Sequence, residues 1–269
     1  MKLQIDFGGT HFRYRIDEGT IITKPSKEIN LPSFLDAIIS KHPDIKSIGI
    51  SFAGQVKEGV ILSSPNIHST RFDVKRYIES KYPIRLEIQN DLKCAALAEQ
   101  ALWKSDHLAV FYIGTGFGSA FIESGKLILG SRNQSGEIGH IPYQKAPFRC
   151  NCGREDCLEL YTSGSGIEKW CEHLNIEKAY HRLDRLQTLD SPVAKKIVEN
   201  FYHGLAHAFH TALNLFDFDT LVLGGSVGQH EEIKHFLKEE FTQCSFHKTG
   251  LKIVLSTLEE GSLEGTKYL

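Results

Sequence analysis

The chain of 269 residues is 41% hydrophobic and 24% charged, the balance of a globular protein long enough for one large domain or two ordinary ones. Its 31 Lys and Arg against 33 Asp and Glu leave a net charge of −2, which provides no electrostatic pull toward nucleic acid or an anionic membrane. No apolar run approaches the roughly 20 residues that span a bilayer and no hydrophobic leader opens the chain, so with six cysteines a reducing, cytoplasmic location is expected.

In chain order, a strand-like start leads into Asp6-Phe-Gly-Gly-Thr10 and then a second strand pattern, Phe12 to Ile16. Apolar residues at helical spacing (Phe34, Leu35, Ile38, Ile39) predict a helix from Phe34 to His42, followed by a strand from Ser47 to Phe52. Asp73 can cap a helix reaching Tyr82; a strand over 84–88 and an Ala/Leu-rich helix over 92–103 come next. The segment Ile113 to Ile128 repeats Phe7 to Ile22 at a constant offset of 106 residues, with Gly8 matching Gly114 and Gly19 matching Gly125. Pro192 opens a long predicted helix to Phe216, with Val193, Ile197, Phe201, Leu205 and Ala208 on one face. A strand from Thr220 to Leu223 then meets Gly224-Gly225, before a helix over 231–241.

Strands alternating with helices imply a layered α/β fold. The repeat suggests a smaller N-terminal lobe, 1–106, and a larger C-terminal lobe, 107–269, joined near Ser105 to Leu108, with the C-terminal end packing back on the small lobe.

Three groups of residues can carry chemistry. His140, Cys150, Cys152 and Cys157 have the types and spacing of a tetrahedral zinc site, and four protein ligands leave no open position, so the metal reads as structural. A disulfide or unrelated surface thiols are the competing readings. Asp6-Phe-Gly-Gly-Thr10 and Gly114-Thr-Gly-Phe-Gly118 follow strands and offer consecutive N–H groups and a Thr hydroxyl to a phosphate chain; ordinary hairpin glycines would look the same. Each loop runs into a second strand, whereas Rossmann and P-loop glycines lead into a helix. Asn90-Asp91 lies where a strand ends and a helix begins, a place for an N-cap and also for a ligand-facing carboxylate. A stripe of Glu199, His203, His207 and His210 lacks the Glu of a metalloprotease motif and reads as a solvated or interface face.

These motifs together resemble the ROK family (repressor, open reading frame, kinase). Asp6-x-Gly-Gly-Thr10, Asn90-Asp91, Gly114-Thr-Gly116, Gly136-Glu-Ile-Gly-His140 and Cys150-x-Cys152-Gly-x3-Cys157-x-Glu159 stand in the family's order, and the likeness runs from Asp6 to Gly265. The resemblance implies an actin-like (ribonuclease H-like) ATPase fold, two lobes around a cleft with a structural zinc loop, and a homodimer through the larger lobe.

It implies transfer of phosphate from ATP to a hexose or N-acetylhexosamine, at the 6-OH, with Asp91 as general base. Asn90, Asp91, Glu137, His140 and Glu159 would bind sugar hydroxyls, and Ala53, Gly54 and Asn66 resemble family loops lining the sugar pocket. Asp6 with magnesium, Gly8, Gly9, Thr10, Gly114, Thr115 and Gly116 would handle phosphates, and Gly224-Gly225 the adenosine end. Asp156 departs from the pattern, standing where the family usually has Gly. Family repressors carry a helix-turn-helix ahead of the phosphate strand, and only five residues precede Asp6 here, so direct DNA binding in that mode is not expected. A sugar sensor without catalysis is the alternative; a zinc-ribbon nucleic-acid module fits neither the single cluster nor the charge.

Overall fold

A computed structural model describes residues 1–64, 71–243 and 250–269. The chain folds into two compact units. Unit 1 takes Met1–Lys104, Leu129–Ser135 and Leu258–Leu269; unit 2 takes Ser105–Ile128 and Gly136–Thr257. The backbone therefore passes between them four times, where the sequence suggested one junction and a return of the C-terminal end.

Unit 1 begins with the antiparallel hairpin of β1 (Lys2–Phe7) and β2 (His11–Ile16), with β3 (Ile22–Pro25) beside β2. After α1 (Leu31–Lys41), β4 (Ser47–Phe52) lies parallel to β1. A small sheet of β5 (Gln55–Lys57), β6 (Val60–Ser63) and β7 (Phe72–Asp73) and then α2 (Val74–Glu79) precede β8 (Arg85–Asn90), which completes the order β3-β2-β1-β4-β8. α3 (Asp91–Trp103) follows β8 with no loop between. β1 is buried from Leu3 to Phe7 because it is central and covered on both faces, whereas β3 is exposed throughout and carries Lys24 and Pro25, as edge strands do.

The first helix starts three residues earlier than its apolar spacing predicts. Asn30 caps it by accepting from Ser33 N at 3.1 Å, and Pro32 sits in the first turn, where the missing N–H costs nothing. α2 is capped by Asp73 as expected but stops at Glu79 rather than Tyr82, ahead of Pro83.

Unit 2 repeats the plan. β9 (Leu108–Ile113) and β10 (Phe117–Glu123) form the hairpin, β11 (Lys126–Leu127) flanks it, and β12 (Thr220–Gly224) and β13 (Lys252–Leu255) add in parallel, giving β11-β10-β9-β12-β13. Between β11 and β12 come the cysteine loop, α4 (Glu159–Thr162), α5 (Gly164–His173), α6 (Leu183–Leu186) and α7 (Pro192–Phe216). The turn after β12 holds α8 (Gly225–Gly228), and α9 (Glu231–Gln243) precedes β13. The long helix buries Ala194, Ile197, Phe201, Leu205 and Ala208, while Val193, expected on that face, is 41% exposed. A position in the first turn has no preceding turn of core beneath it, and Ala194 takes the inward place.

The closing helix of unit 1, Gly261–Gly265, packs on α3 so tightly that Gly265 has no room for a Cβ against the Cys94 carbonyl. Arg15 Nη2 meets Glu264 Oε1 at 2.7 Å, and Lys2 Nζ donates to the carbonyls of Lys267 and Leu269 at 2.8 and 3.1 Å. No helix among the described residues is long and apolar enough to cross a membrane.

Candidate active site and zinc loop

In unit 1 the candidate residues collect at the carboxyl ends of β1, β4 and β8. Asp6, 6% exposed at the end of β1, accepts from Ser51 Oγ at 2.8 Å and from Arg13 Nη1 at 3.3 Å. Burial raises its pKa, and Ser51 and Arg13 offset part of that. The turn after it is closed by Gly8 N donating to His11 O at 3.0 Å and by Ser26 Oγ donating to Gly8 O at 2.7 Å, which leaves Gly9 half-buried and Thr10 exposed. At the end of β4, Ala53 N donates to Phe7 O, and Gly54 lies against the Ser63 carbonyl where a Cβ would collide. Asn66 lies outside the described residues.

Asn90 is both cap and clamp. Its Oδ1 accepts from the amides of Leu92 and Lys93 at 3.1 and 3.3 Å, while its Nδ2 donates to Asp91 Oδ1 at 2.9 Å and to Gly54 O at 3.3 Å. The N-cap and the ligand-facing reading of this pair are thus compatible: Asn90 does the capping and Asp91 is oriented by it. Burial pushes the Asp91 carboxyl up to about 6, with the Asp6 charge adding to the effect and the Leu92 amide and Asn90 working against it. A carboxylate held near neutrality can take a proton at physiological pH and hand it on, the property expected of a general base.

In unit 2, His140, Cys150, Cys152 and Cys157 bring one ligand atom each to within 4.8 Å of one another. Cys150 Sγ stands 3.6 Å from His140 Nδ1, and Cys152 Sγ 3.3 Å from Cys157 Sγ. A disulfide would bring the sulfurs to about 2 Å, whereas a tetrahedral zinc with bonds of about 2.3 Å holds them about 3.7 Å apart. The donor set and spacing fit zinc. Gly153, at φ +94°, makes the tight turn that returns Cys157 toward Cys150, and Gly153 N donates to Cys150 O at 2.9 Å. Burial pushes the Cys150 thiol up to about 11 and also raises Cys157, so a divalent cation must displace those protons when it binds. The Asp156 departure is accommodated: Arg154 Nε and Nη2 hold its carboxylate, each at 2.9 Å, and its carbonyl accepts from Tyr143 N.

Glu159 links this loop to the second glycine turn. Its Oε2 accepts from Phe117 N at 2.9 Å, and its Oε1 receives the Cys150 thiol at 3.5 Å. Glu137 is exposed at the start of the Ile138–His140 turn. The Gly114–Thr115 turn lines a cavity of about 330 Å³ with Ser165, Lys178, Arg182 and Ser226, a size suited to a small-molecule ligand. Gly225, at φ +80°, makes the turn after β12, and the cavity wall from that turn is Ser226 and Val227 rather than Gly224. Ser165, Lys178 and Arg182 were not singled out from the sequence, although the Ser163-Gly-Ser-Gly166 run opening α5 is a recognisable glycine-rich helix start.

Among the described residues, Glu199, His203, His207 and His210 do not gather their ligand atoms into a metal-sized group. His210 pairs with Glu240 at 2.9 Å and His207 packs on the Tyr143 ring at 5.3 Å.

A model of the ROK family matches residues 3–265. The chain belongs to the ROK family. An N-acetylmannosamine kinase of Vibrio cholerae is 30% identical to this ROK protein over 245 residues, covering 85% of each chain. A ROK hexokinase from Thermus thermophilus superposes with a TM-score of 0.82 at 24% identity, over 98% of this chain and 95% of that one. A ROK glucokinase from Streptomyces griseus, solved with glucose and AMPPNP, gives 0.71 at 21% identity over 98% and 97%. The fold is therefore the α/β fold of ROK sugar kinases.

Proposed function

We propose that this ROK protein is an ATP-dependent sugar kinase that phosphorylates a hexose or N-acetylhexosamine, at the 6-OH, with Asp91 as general base. The observation that carries the reading is the Asn90–Asp91 pair, a carboxyl raised to about 6 and aimed by its neighbour at the head of α3. The named activities of its relatives, an N-acetylmannosamine kinase and a glucokinase among them, support it.

In this scheme Asp91 accepts the hydroxyl proton as the oxygen attacks the γ-phosphorus, while most of the rate comes from positioning and charge neutralisation. Asn90, Ala53, Gly54, Glu137, His140 and Glu159 bind the sugar. Magnesium, a hard cation that takes oxygen ligands, would be held by Asp6 and the ATP phosphates and would neutralise phosphate charge. Ser51 and Arg13 keep the Asp6 carboxylate in place for it. The Gly8-Gly9-Thr10 and Gly114-Thr115-Gly116 turns receive phosphates, and the Ser226 cavity wall receives the nucleoside. Zinc does no chemistry; it holds His140 and the loop that leads into Glu159. A homodimer through unit 2 is the expected assembly.

The test is ADP release by the purified protein with ATP and magnesium over glucose, N-acetylglucosamine, N-acetylmannosamine and other hexoses. Turnover with at least one is expected. Silence across the whole panel in zinc-replete protein would overturn the kinase reading in favour of a sugar sensor.

A further inference from the structure

The seven residues Leu129–Ser135 form a strap that belongs to unit 1 although the chain on either side belongs to unit 2. The strap closes on itself, with Ser135 N donating to Leu129 O at 3.1 Å and Asn133 N to Gly130 O at 3.3 Å. Leu129, Gly130, Ser131, Arg132 and Gln134 are exposed; Asn133 turns inward, at φ +57°. Among the described residues, the strap's hydrogen bonds into the rest of unit 1 run through Asn133. Its Nδ2 donates to Val56 O at 2.7 Å and to Gln89 Oε1 at 2.6 Å. On the other side, the buried Lys93 Nζ donates to the Asn133 carbonyl and, at 3.2 Å, to its Oδ1.

Gln89 stands immediately before Asn90-Asp91, and Lys93 two residues after Asp91. Gln89 Oε1 also accepts from the amide of Asn90 at 2.8 Å, and Asn90 Nδ2 in turn holds Asp91 Oδ1. One side chain in an otherwise exposed loop thus grips the strand end and the first helical turn on both sides of the proposed base.

We propose that Asn133 is a positioning residue for Asp91, setting the direction of the Asn90 clamp through Gln89. The assignment rests on the kinase reading above. Its reach is through hydrogen bonds: the partners of Asn133 are Val56, Gln89 and Lys93, not Asp91 itself. A base misplaced by an ångström can lose about 100-fold in rate with little change in binding.

The left-handed backbone supplies the control. Glycine adopts φ +57° without strain, so Asn133→Gly keeps the turn and removes only the side chain, which alanine would not do. Asn133→Gly should lower kcat about 10- to 100-fold while the KM values for ATP and sugar stay within about threefold. Adding Gln89→Met should cost little more, because both changes break the same link. Without any substrate, hydrogen exchange at the amides of Asn90, Leu92 and Lys93 should quicken about tenfold in Asn133→Gly. Unaltered exchange there, a kcat within twofold of the parent, or full multiplication of the Gln89 and Asn133 effects would each overturn the role. An active parent, an inactive Asp91→Asn and an unimpaired Asn133→Gly would sink this assignment alone. A parent inactive on every sugar would sink the kinase reading, while the exchange result would still decide whether Asn133 holds the junction.

Discussion

The hairpins at the head of the two units share a backbone plan and differ in what they present. In unit 1 the strand ends in Asp6, a buried carboxylate held by Ser51 and Arg13. The matching place 106 residues on is Tyr112, whose ring covers Gly224 and whose hydroxyl lies 3.3 Å from Ser256 Oγ. In unit 1, then, the sheet end carries ionisable groups, Asp6 and Asp91, and no metal-ligating cluster is found among its described residues. Unit 2 offers a neutral turn of N–H groups and hydroxyls with the zinc loop beside it. On the proposed function, one architecture is specialised twice, once for proton and cation chemistry and once for a cradle braced by a metal.

The comparison is broken most severely at the zinc loop. Cys152 is exposed while Cys150 and Cys157 are buried, so Cys152→Ser removes a ligand without opening a cavity. The variant should lose stoichiometric zinc by elemental analysis and several kcal/mol of unit 2 stability, given about 10–16 kcal/mol of apparent zinc binding energy in small peptides. Unchanged zinc content would remove Cys152 from the ligand set. In unit 1 the sensitive point is Asp91. Asp91→Asn should cut kcat about 10²- to 10⁴-fold in a coupled assay with no loss of thermal stability. Retained turnover would take the base away from Asp91.

A finer signature comes from pH. Because burial raises Asp91 to about 6 in the folded protein, the native state keeps a proton that the unfolded chain has released at about pH 4 to 6. Stability contributed by this group therefore falls as pH rises through that window, by at most about 3 kcal/mol, while the rate climbs with the ionised base. Parent and Asp91→Asn unfolding curves compared from pH 4 to 8 should diverge in that sense. Parallel curves would mean the carboxyl is not raised.

The His140, Cys150, Cys152 and Cys157 cluster was legible because it sits in one loop, where spacing alone brings its members together. Asn90-Asp91 was legible as a junction, but not the raised pKa of Asp91, which depends on burial and on Asp6 from another strand. Two features escaped local pattern altogether. The strap around Asn133 belongs to unit 1 through bonds to Val56 and Gln89, contacts that span tens of residues, whereas the return of the C-terminal end to this unit was expected. The cavity residues Lys178 and Arg182 lie in short turns with no periodicity to flag them. Apolar spacing placed α7 well because burial of one face sets both its length and its phase; it misplaced α1 because a proline in the first turn reads as a breaker until the cap is recognised.

The closing helix has a consequence for how the protein is made. Strand β1 rests on residues that lie 265 and 267 positions further along: Lys2 grips the backbone of Lys267 and Leu269, and α3 packs on Gly265. On a ribosome adding about 5–20 residues per second, unit 1 begins to emerge before unit 2 yet cannot finish until residues 258–269 have left the exit tunnel. Unit 2, complete by Thr257, is free to condense in the interval. The order of birth and the order of maturation are thus reversed.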